Sequence, residues 1–491
     1  MRPPLDSSQP TPGPSSEPPL VVDLDGTLIL TDMLHESSLQ LLRDGPWRAM
    51  ALPVWLARGK AALKQEIGQR VQMDVATLPY NVPFVQWLRN QHAAGRRTVL
   101  CTASDRSVAQ AIAAHLGCFD QVMASDGATN LAGAAKAAAL VQAFGERGFD
   151  YAGNSQADVP VWQSARSAIV VNASGAVTRR AEAQGNVAER FPREPLGLRP
   201  WRKALRLHQW LKNLLLFVPL VAAHRLADGE AWGDLLVAFL AFSLCASSVY
   251  VANDLLDLES DRRHPRKRLR PFASGALAAW QGVALVPVLT AASFLLAWQV
   301  GQGFFGWLLG YFAITWAYSL ALKRWVLVDC IALAVLYTLR IVAGAYAITQ
   351  PLSFWLLAFS GFLFLSLAFV KRYAELMVQQ AAGKTQAHGR GYLTSDAPIV
   401  QNLGIAAGYT AVVVLALYLN SESVLLMYRA PEMIWAAVPV MVFWVSWMWL
   451  RAVRGQMHDD PLVFAFKDRA SLAAGALFSL AMVAAALGLP W

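Results

Sequence analysis

Two groups of carboxylates in this chain are spaced for chemistry on phosphate esters. The first is Asp23-Leu24-Asp25-Gly26-Thr27, which follows the apolar run LVV. A predicted parallel sheet ends there, so both carboxylates stand at its C-terminal edge, where ligands collect. One carboxylate can attack phosphorus to give an aspartyl-phosphate, while the other protonates the leaving oxygen and later activates water. The plainer alternative is a capped turn containing a glycine. The second group is Asn253-Asp254-Leu255-Leu256-Asp257-Leu258-Glu259-Ser260-Asp261, followed by the basic run Arg262 to Arg270. On a continuing helix, Asp254, Asp257 and Asp261 fall at i, i+3 and i+7 and share a face. Three such carboxylates repel one another, and Mg2+ relieves this by bridging carboxylates to substrate phosphates. Lys267, Arg268 and Arg270 supply cations for a departing diphosphate. A cytoplasmic loop under the positive-inside rule explains the basic residues but not aspartates at a membrane edge.

The elements that must position these groups differ in character. With 491 residues, 56% hydrophobic and 15% charged, the chain is too apolar for two ordinary soluble domains, and much of it is expected in lipid. Residues 1–19 are rich in Pro and Ser without an apolar core and read as a disordered tail. Residues 20–190 alternate short apolar runs with Ala-rich helical stretches, which predicts an α/β domain with a parallel sheet. An insertion over residues 33–90 predicts a small helical cap whose Arg43, Arg58, Lys60, Lys64 and Arg70 solvate it.

A Pro/Arg-rich linker, 191–204, leads to an all-α membrane domain, 205–491. Its predicted spans lie near 211–226, 233–252, 279–299, 303–321, 326–347, 352–371, 403–420, 432–450 and 471–489, about nine in all. Lys and Arg collect in alternate connections, at 262–270, 323–324, 371–390 and 451–469. This predicts a cytoplasmic N-terminal domain, cytoplasmic basic loops, an outside C-terminus and insertion in the inner, cytoplasmic membrane. The net charge of +9 is thereby assigned to a membrane surface and anionic substrates, not to nucleic acid. Cys101, Cys118, Cys245 and Cys330 are scattered and suggest neither disulfides nor zinc.

Further motifs carry resemblances. Thr102 after RTVLC, Lys136 in GAAKAAAL, and Gly153-Asn154-Ser155-Gln156-Ala157-Asp158 after FDYA follow the DxDGT motif in order. In this the N-terminal domain resembles phosphatases of the haloacid dehalogenase (HAD) type. The resemblance implies that Asp23 is the nucleophile, Asp25 the acid/base, and Thr102 and Lys136 the holders of phosphate oxygens. It places Mg2+ on Asp23 and Asp158, with Asp25 and Asn154 beside it. The family commonly has an aspartate where this chain has Asn154, which removes one negative charge from the metal site. A docking or sensing module is the alternative for this domain.

From about residue 196 the chain resembles the UbiA superfamily, on the NDxxDxxxD motif at 253–261. Within it, HQWLKN at 208–213, HPRKRLRP at 264–271, FVKRYAEL at 369–376 and DDPLVFAFKDR at 459–469 resemble the polyprenyl-phosphate phosphoribosyltransferases. The resemblance implies transfer of 5-phosphoribose from phosphoribosyl pyrophosphate to polyprenyl phosphate. Mg2+ on Asp254, Asp257 and Asp261 would bind the pyrophosphate, beside Asn253, Lys267, Arg268 and Arg270. Lys212, Lys371 and Arg372, expected at cytoplasmic helix ends, would hold the donor's 5-phosphate or the lipid phosphate; snorkelling is the alternative for each. The second aspartate motif of prenyltransferases is reduced to Tyr318…Lys323 and Asp329, which favours the phosphoribosyl donor. Arg340, inside a span, is expected to pair with Asp329 or a phosphate. Fusion suggests consecutive steps, the HAD domain removing the 5-phosphate to leave polyprenylphosphoryl-ribose for cell-envelope glycans. The competing reading is an aromatic prenyltransferase for quinone-type lipids.

Overall fold

The computed structural model describes residues 17–126, 130–195, 197–386, 390–421, 424, 428–457 and 460–488. Most of the proposed tail, Asp459 and residues 489–491 lie outside them. The chain divides into two compact units, one of residues 1–205 with 251–286 and one of 206–250 with 287–491.

The first unit is built on six parallel strands, β1 (Leu20–Val22), β2 (Thr98–Asp105), β3 (Gln121–Ser125), β4 (Asp150–Gly153), β5 (Ser167–Val171) and β6 (Val187–Phe191). Their order, β3-β2-β1-β4-β5-β6, leaves β1 between β2 and β4. Every residue of β1 is fully buried, as a strand with helices on both faces requires. Val22 pairs with Leu100 on one side and Ala152 on the other, so the chain leaves β1 at the centre of the sheet edge.

The expected cap is helical: α1 (Met33–Asp44), α2 (Leu52–Ala57) and α3 (Lys60–Gly68) precede α4 (Val82–Ala93). Asp32 caps α1, its Oδ1 accepting from the Leu34 and His35 N–H groups. Helices α5 (Arg106–Leu116), α6 (Ala134–Phe144), α7 (Val159–Ser164) and α8 (Gly175–Glu182) alternate with the later strands, and the linker itself forms α9 (Leu198–Ala204).

The second unit is helical. A 3-10 stretch, Leu207–Phe217, leads into α10 (Val218–Ala222) and then α11 (Gly229–Leu256). After α12 (Leu258–Arg263), which belongs to the first unit, come α13 (Ala279–Val300), α14 (Gln302–Leu320), α15 (Val328–Ala347), α16 (Phe354–Ala381), α17 (Ala397–Leu419), α18 (Ala437–Val453), α19 (Pro461–Ala465) and α20 (Arg469–Leu487).

Seven helices among the described residues are long and apolar enough to cross a membrane, so the expected count of nine is not confirmed. The stretch 207–222 is short and begins as 3-10 helix, with Pro219 opening α10. Helix α14 forms where expected but is diluted by glycines and polar residues and is not among the seven.

Helix α15 is the most enclosed: Gly344 lies so close to the 3-10 stretch that a Cβ there would sit 2.0 Å from the Leu216 carbonyl oxygen. Helix α16 runs ten residues past its expected end, since nothing in KRYAELMVQQA breaks it before Gly383 at φ +71°. All four cysteines are buried and free.

Candidate active sites

At the end of β1 the Asp23 N–H donates to the Ala152 carbonyl at 2.9 Å, which holds Asp23 as an extension of the strand. Its Oδ1 accepts from Lys136 Nζ of α6 at 2.6 Å. Lys136 also donates to Tyr151 Oη at 3.0 Å, and Tyr151 in turn donates to Asp158 Oδ1 at 2.7 Å. Burial pushes Asp23 up to about 7, against the pull of Lys136 and with help from Asp158 and Asp25. Burial alone would lower Lys136, but Asp23 and Asp158 outweigh it and hold the ammonium charged.

Asp25 uses both oxygens: Oδ1 accepts from the Met33 N–H at 2.8 Å and Oδ2 from the Ser104 hydroxyl at 2.8 Å. Burial, then repulsion from Asp32, raises it to about 6. A carboxyl placed there can both give and take a proton near neutrality. Thr102 is fully buried within β2, just before its register with β3 shifts, and its Oγ1 accepts from the Ser104 N–H at 3.0 Å. Gly26 has φ +77°, and a Cβ there would fall 1.9 Å from Asn154 Nδ2, so the Asn154 amide lies directly against this turn.

Both oxygens of Asp158 are engaged. Its Oδ1 is taken by Tyr151, and its Oδ2 accepts from the Asn154 N–H, the Ser155 N–H and the Ser155 hydroxyl at 3.1, 2.9 and 2.8 Å. It secures its own loop. Ser104 and Tyr151 were not singled out in the sequence; β-strand alternation in FDYAG is the signal that sets Tyr151 into the sheet.

The aspartate loop bends where the sequence predicts a continuous helix. Helix α11 ends at Leu256, α12 begins at Leu258, and Asp257 between them has φ −97° and ψ 11°. The bonds from the Asp257 N–H to Asn253 O and from the Asp261 N–H to Asp257 O persist across the bend. Asp254 and Asp261 are 2% and 1% exposed and converge on one atom. Arg270 Nη1 is 3.0 Å from Asp254 Oδ1 and 2.6 Å from Asp261 Oδ2. Asp261 Oδ1 is buried without a hydrogen-bond partner, with Lys267 Nζ 3.9 Å away. Burial raises the Asp261 pKa in spite of Arg270.

Two buried carboxylates tied by one guanidinium nitrogen, with an oxygen to spare, fit a divalent cation that prefers oxygen. Asn253 and Asp257 are half-buried and Arg268 is exposed. Among the described residues no three His, Cys, Asp or Glu side chains stand close enough to hold a metal unaided, at either site.

In the second unit Asp460, unassigned in the sequence beyond its block, gathers the cations. It accepts from Lys212 Nζ at 2.7 Å, Lys371 Nζ at 3.2 Å and Tyr337 Oη at 2.9 Å. Burial alone would raise its pKa, and the two lysines bring it well below the usual range.

Arg372 does not join this group. Because α16 continues, Arg372 lies inside a helix, fully buried, and pairs with Asp329 and Glu375. Asp329 also takes Tyr392 Oη at 2.7 Å and Arg390 Nη1 at 3.4 Å, and Arg390 reaches Tyr318 Oη at 3.2 Å. Among the described residues Arg340 pairs with neither Asp329 nor another carboxylate: Nε donates to Asn213 Oδ1 at 2.8 Å and Nη2 to Tyr311 Oη at 3.0 Å. Lys323 stands half-buried in the turn Leu322–Arg324.

A parallel-sheet phosphatase-like domain followed by apolar helices that enclose buried charge defines the class, a membrane transferase carrying a HAD-like domain. Residues 20–163 match the haloacid dehalogenase-like hydrolase family, and residues 214–472 match the UbiA prenyltransferase family. The chain belongs to the UbiA prenyltransferase family and carries an N-terminal HAD-like domain. It is 37% identical over 470 residues to the uncharacterized protein y4nM of Sinorhizobium fredii, covering 95% of this chain and 91% of that one. It is 41% identical over 271 residues to the nodulation protein NoeC of Azorhizobium caulinodans, covering 55% and 88%. It is 32% identical over 273 residues to the decaprenyl-phosphate phosphoribosyltransferase of Mycolicibacterium smegmatis, covering 54% and 86%.

Proposed function

We propose that this protein transfers 5-phosphoribose from phosphoribosyl pyrophosphate to a polyprenyl phosphate. The HAD domain then removes the 5-phosphate to give polyprenylphosphoryl-ribose for cell-envelope glycans. The observation that carries the reading is the convergence of Asp254 and Asp261 on Arg270, with Asp261 Oδ1 left unsatisfied. Similarity to phosphoribosyltransferases supports the choice of donor.

Mg2+, held by Asp254 and Asp261 with Asp257 adjacent, would neutralise pyrophosphate as it leaves. Arg270 and Lys267 add fixed positive charge on the same side of the loop, where the leaving group gains charge. Bond breaking then gives ribose C1 oxocarbenium character, and a lipid phosphate oxygen attacks it. Lys212 and Lys371 suit a phosphate in place of the Asp460 carboxylate they now share. Arg372, Tyr318 and Asp329 support α15 and α16 from within.

In the HAD domain Asp23 attacks the 5-phosphate, Lys136 steadies both the nucleophile and a phosphate oxygen, and Asp25 passes the proton. The domain and the basic loops face the cytoplasmic side of the inner membrane, where the donor is soluble. The test uses purified protein with Mg2+, labelled phosphoribosyl pyrophosphate and a polyprenyl phosphate. Wild type should yield lipid-linked ribose and Asp23→Asn its 5-phosphate; an identical product from both would refute the hydrolytic step.

A further inference from the structure

Glu36 lies in the first turns of α1 and is buried, at 4% exposure, although nothing in the phosphatase chemistry uses it. Its carboxylate is fully engaged. Arg262 Nη2 donates to Oε1 at 2.7 Å, Arg262 Nη1 to Oε2 at 3.0 Å, and the Thr31 hydroxyl to Oε1 at 2.7 Å. Arg262 Nε donates in turn to the Ala273 carbonyl at 3.0 Å. The two side chains are 4% and 6% exposed, so this is a desolvated two-pronged pair whose geometry is specific. Such a pair is weak evidence for stability, because apolar contacts would serve at least as well, and its best attested use is to fix register.

The pair joins two short elements that flank the two candidate sites. Helix α1 starts from the Met33 N–H bound to Asp25. Arg262 is the neighbour of Asp261 in α12, a six-residue helix too short to hold its own conformation. A more exposed pair, Arg43 with Glu259 at 3.1 Å, joins the same two helices.

We infer that Glu36 and Arg262 are positioning residues for transfer. Through them the HAD-like domain holds α12 so that Asp261 meets Asp254 at the donor site. The domain thereby serves the transferase as a scaffold in addition to hydrolysing phosphate. This rests on the reading that the aspartate loop binds the donor diphosphate.

The experiment compares full-length wild type, Glu36→Gln, Arg262→Gln and the reversed pair Glu36→Arg/Arg262→Glu. Arg190→Ala, at an exposed ion pair elsewhere on the domain, is the control. Transfer is followed in detergent against donor and Mg2+ concentration, and melting is recorded for each protein. Each single variant should show at least a tenfold higher donor KM and need more Mg2+, kcat should fall less, and the reversed pair should recover most of the loss. Folded single variants with wild-type KM and Mg2+ requirement would overturn the inference. If the single variants do not fold, the reversed pair decides: recovery supports positioning, and a folded reversed pair as impaired as a loop mutant refutes it. Should wild type transfer no phosphoribose, the same series is read on isoprenoid diphosphate consumption, so failure of the donor assignment and failure of the positioning role give different patterns.

Discussion

Replacing Arg270 with Gln tests whether the aspartate loop is built for a cation. Asp254 and Asp261 are almost wholly buried, and Arg270 Nη1 is bonded to both. Breaking a fully buried ion pair costs about 3–5 kcal/mol because a charge is left behind. The Arg270 side chain is 28% exposed, so the loss is discounted to roughly 2–3 kcal/mol. For a unit of this size that corresponds to a melting temperature lower by about 5–10 °C in EDTA. Mg2+ at a hundred times its Kd contributes about 2.7 kcal/mol to whichever protein binds it. In the variant no guanidinium competes for the carboxylates, so Mg2+ should raise its melting temperature more than that of wild type and close most of the gap. Melting curves followed by tryptophan fluorescence, with EDTA and then with titrated MgCl2, give both numbers. Equal Mg2+ shifts in the two proteins, or no loss in EDTA, would refute the reasoning.

Three other outcomes follow from the geometry. Asn154→Asp restores a carboxylate against the Asp25–Gly26 turn, and the Mg2+ concentration for half-maximal phosphatase activity should fall severalfold; an unchanged value would remove Asn154 from the metal's surroundings. Asp23, pushed up to about 7 by burial from an ordinary 3.8, keeps its proton in the folded state after the unfolded carboxyl has lost it. Its contribution to stability is thus full below about pH 4 and is lost as the pH rises toward 7, so the metal-free protein should melt at lower temperature from pH 5 to 7, with a flatter profile in Asp23→Asn. An opposite slope would contradict the burial argument. Asp329→Asn leaves fully buried Arg372 with Glu375 as its one carboxylate among the described residues and should cost about 3–5 kcal/mol, seen as loss of folded protein in detergent. A well-folded variant with a raised donor KM would instead place Asp329 at the substrate.

The parallel sheet and its catalytic edge were legible because β1 and β2 are continuous apolar runs ending in DxD and in Thr102, and residue order alone then fixes the sheet edge. Lys136 could be matched to Asp23 by motif, but the contacts of Tyr151 with Lys136 and of Ser104 with Asp25 could not, since no motif carries them. The count of nine spans is not confirmed, since hydropathy in sequence does not reveal that the stretch around Lys212 begins as 3-10 helix. Local helix signals likewise ended α16 too early, which put Arg372 at a helix end when continued winding buries it against Asp329. The bend at Asp257 and the role of Asp460 depend on contacts made by residues far apart in sequence. So does the engagement of Glu36 by Arg262, 226 residues away.

The most direct test of the central claim is donor choice. Purified wild type with Mg2+ is given labelled phosphoribosyl pyrophosphate and polyprenyl phosphate in one reaction, and labelled isoprenoid diphosphate with hydroxybenzoate in another, alongside Asp254→Asn. Wild type alone should carry phosphoribose label into the organic phase, with no prenylated aromatic product. Prenylated hydroxybenzoate that depends on Asp254, with no lipid-linked ribose, would contradict it.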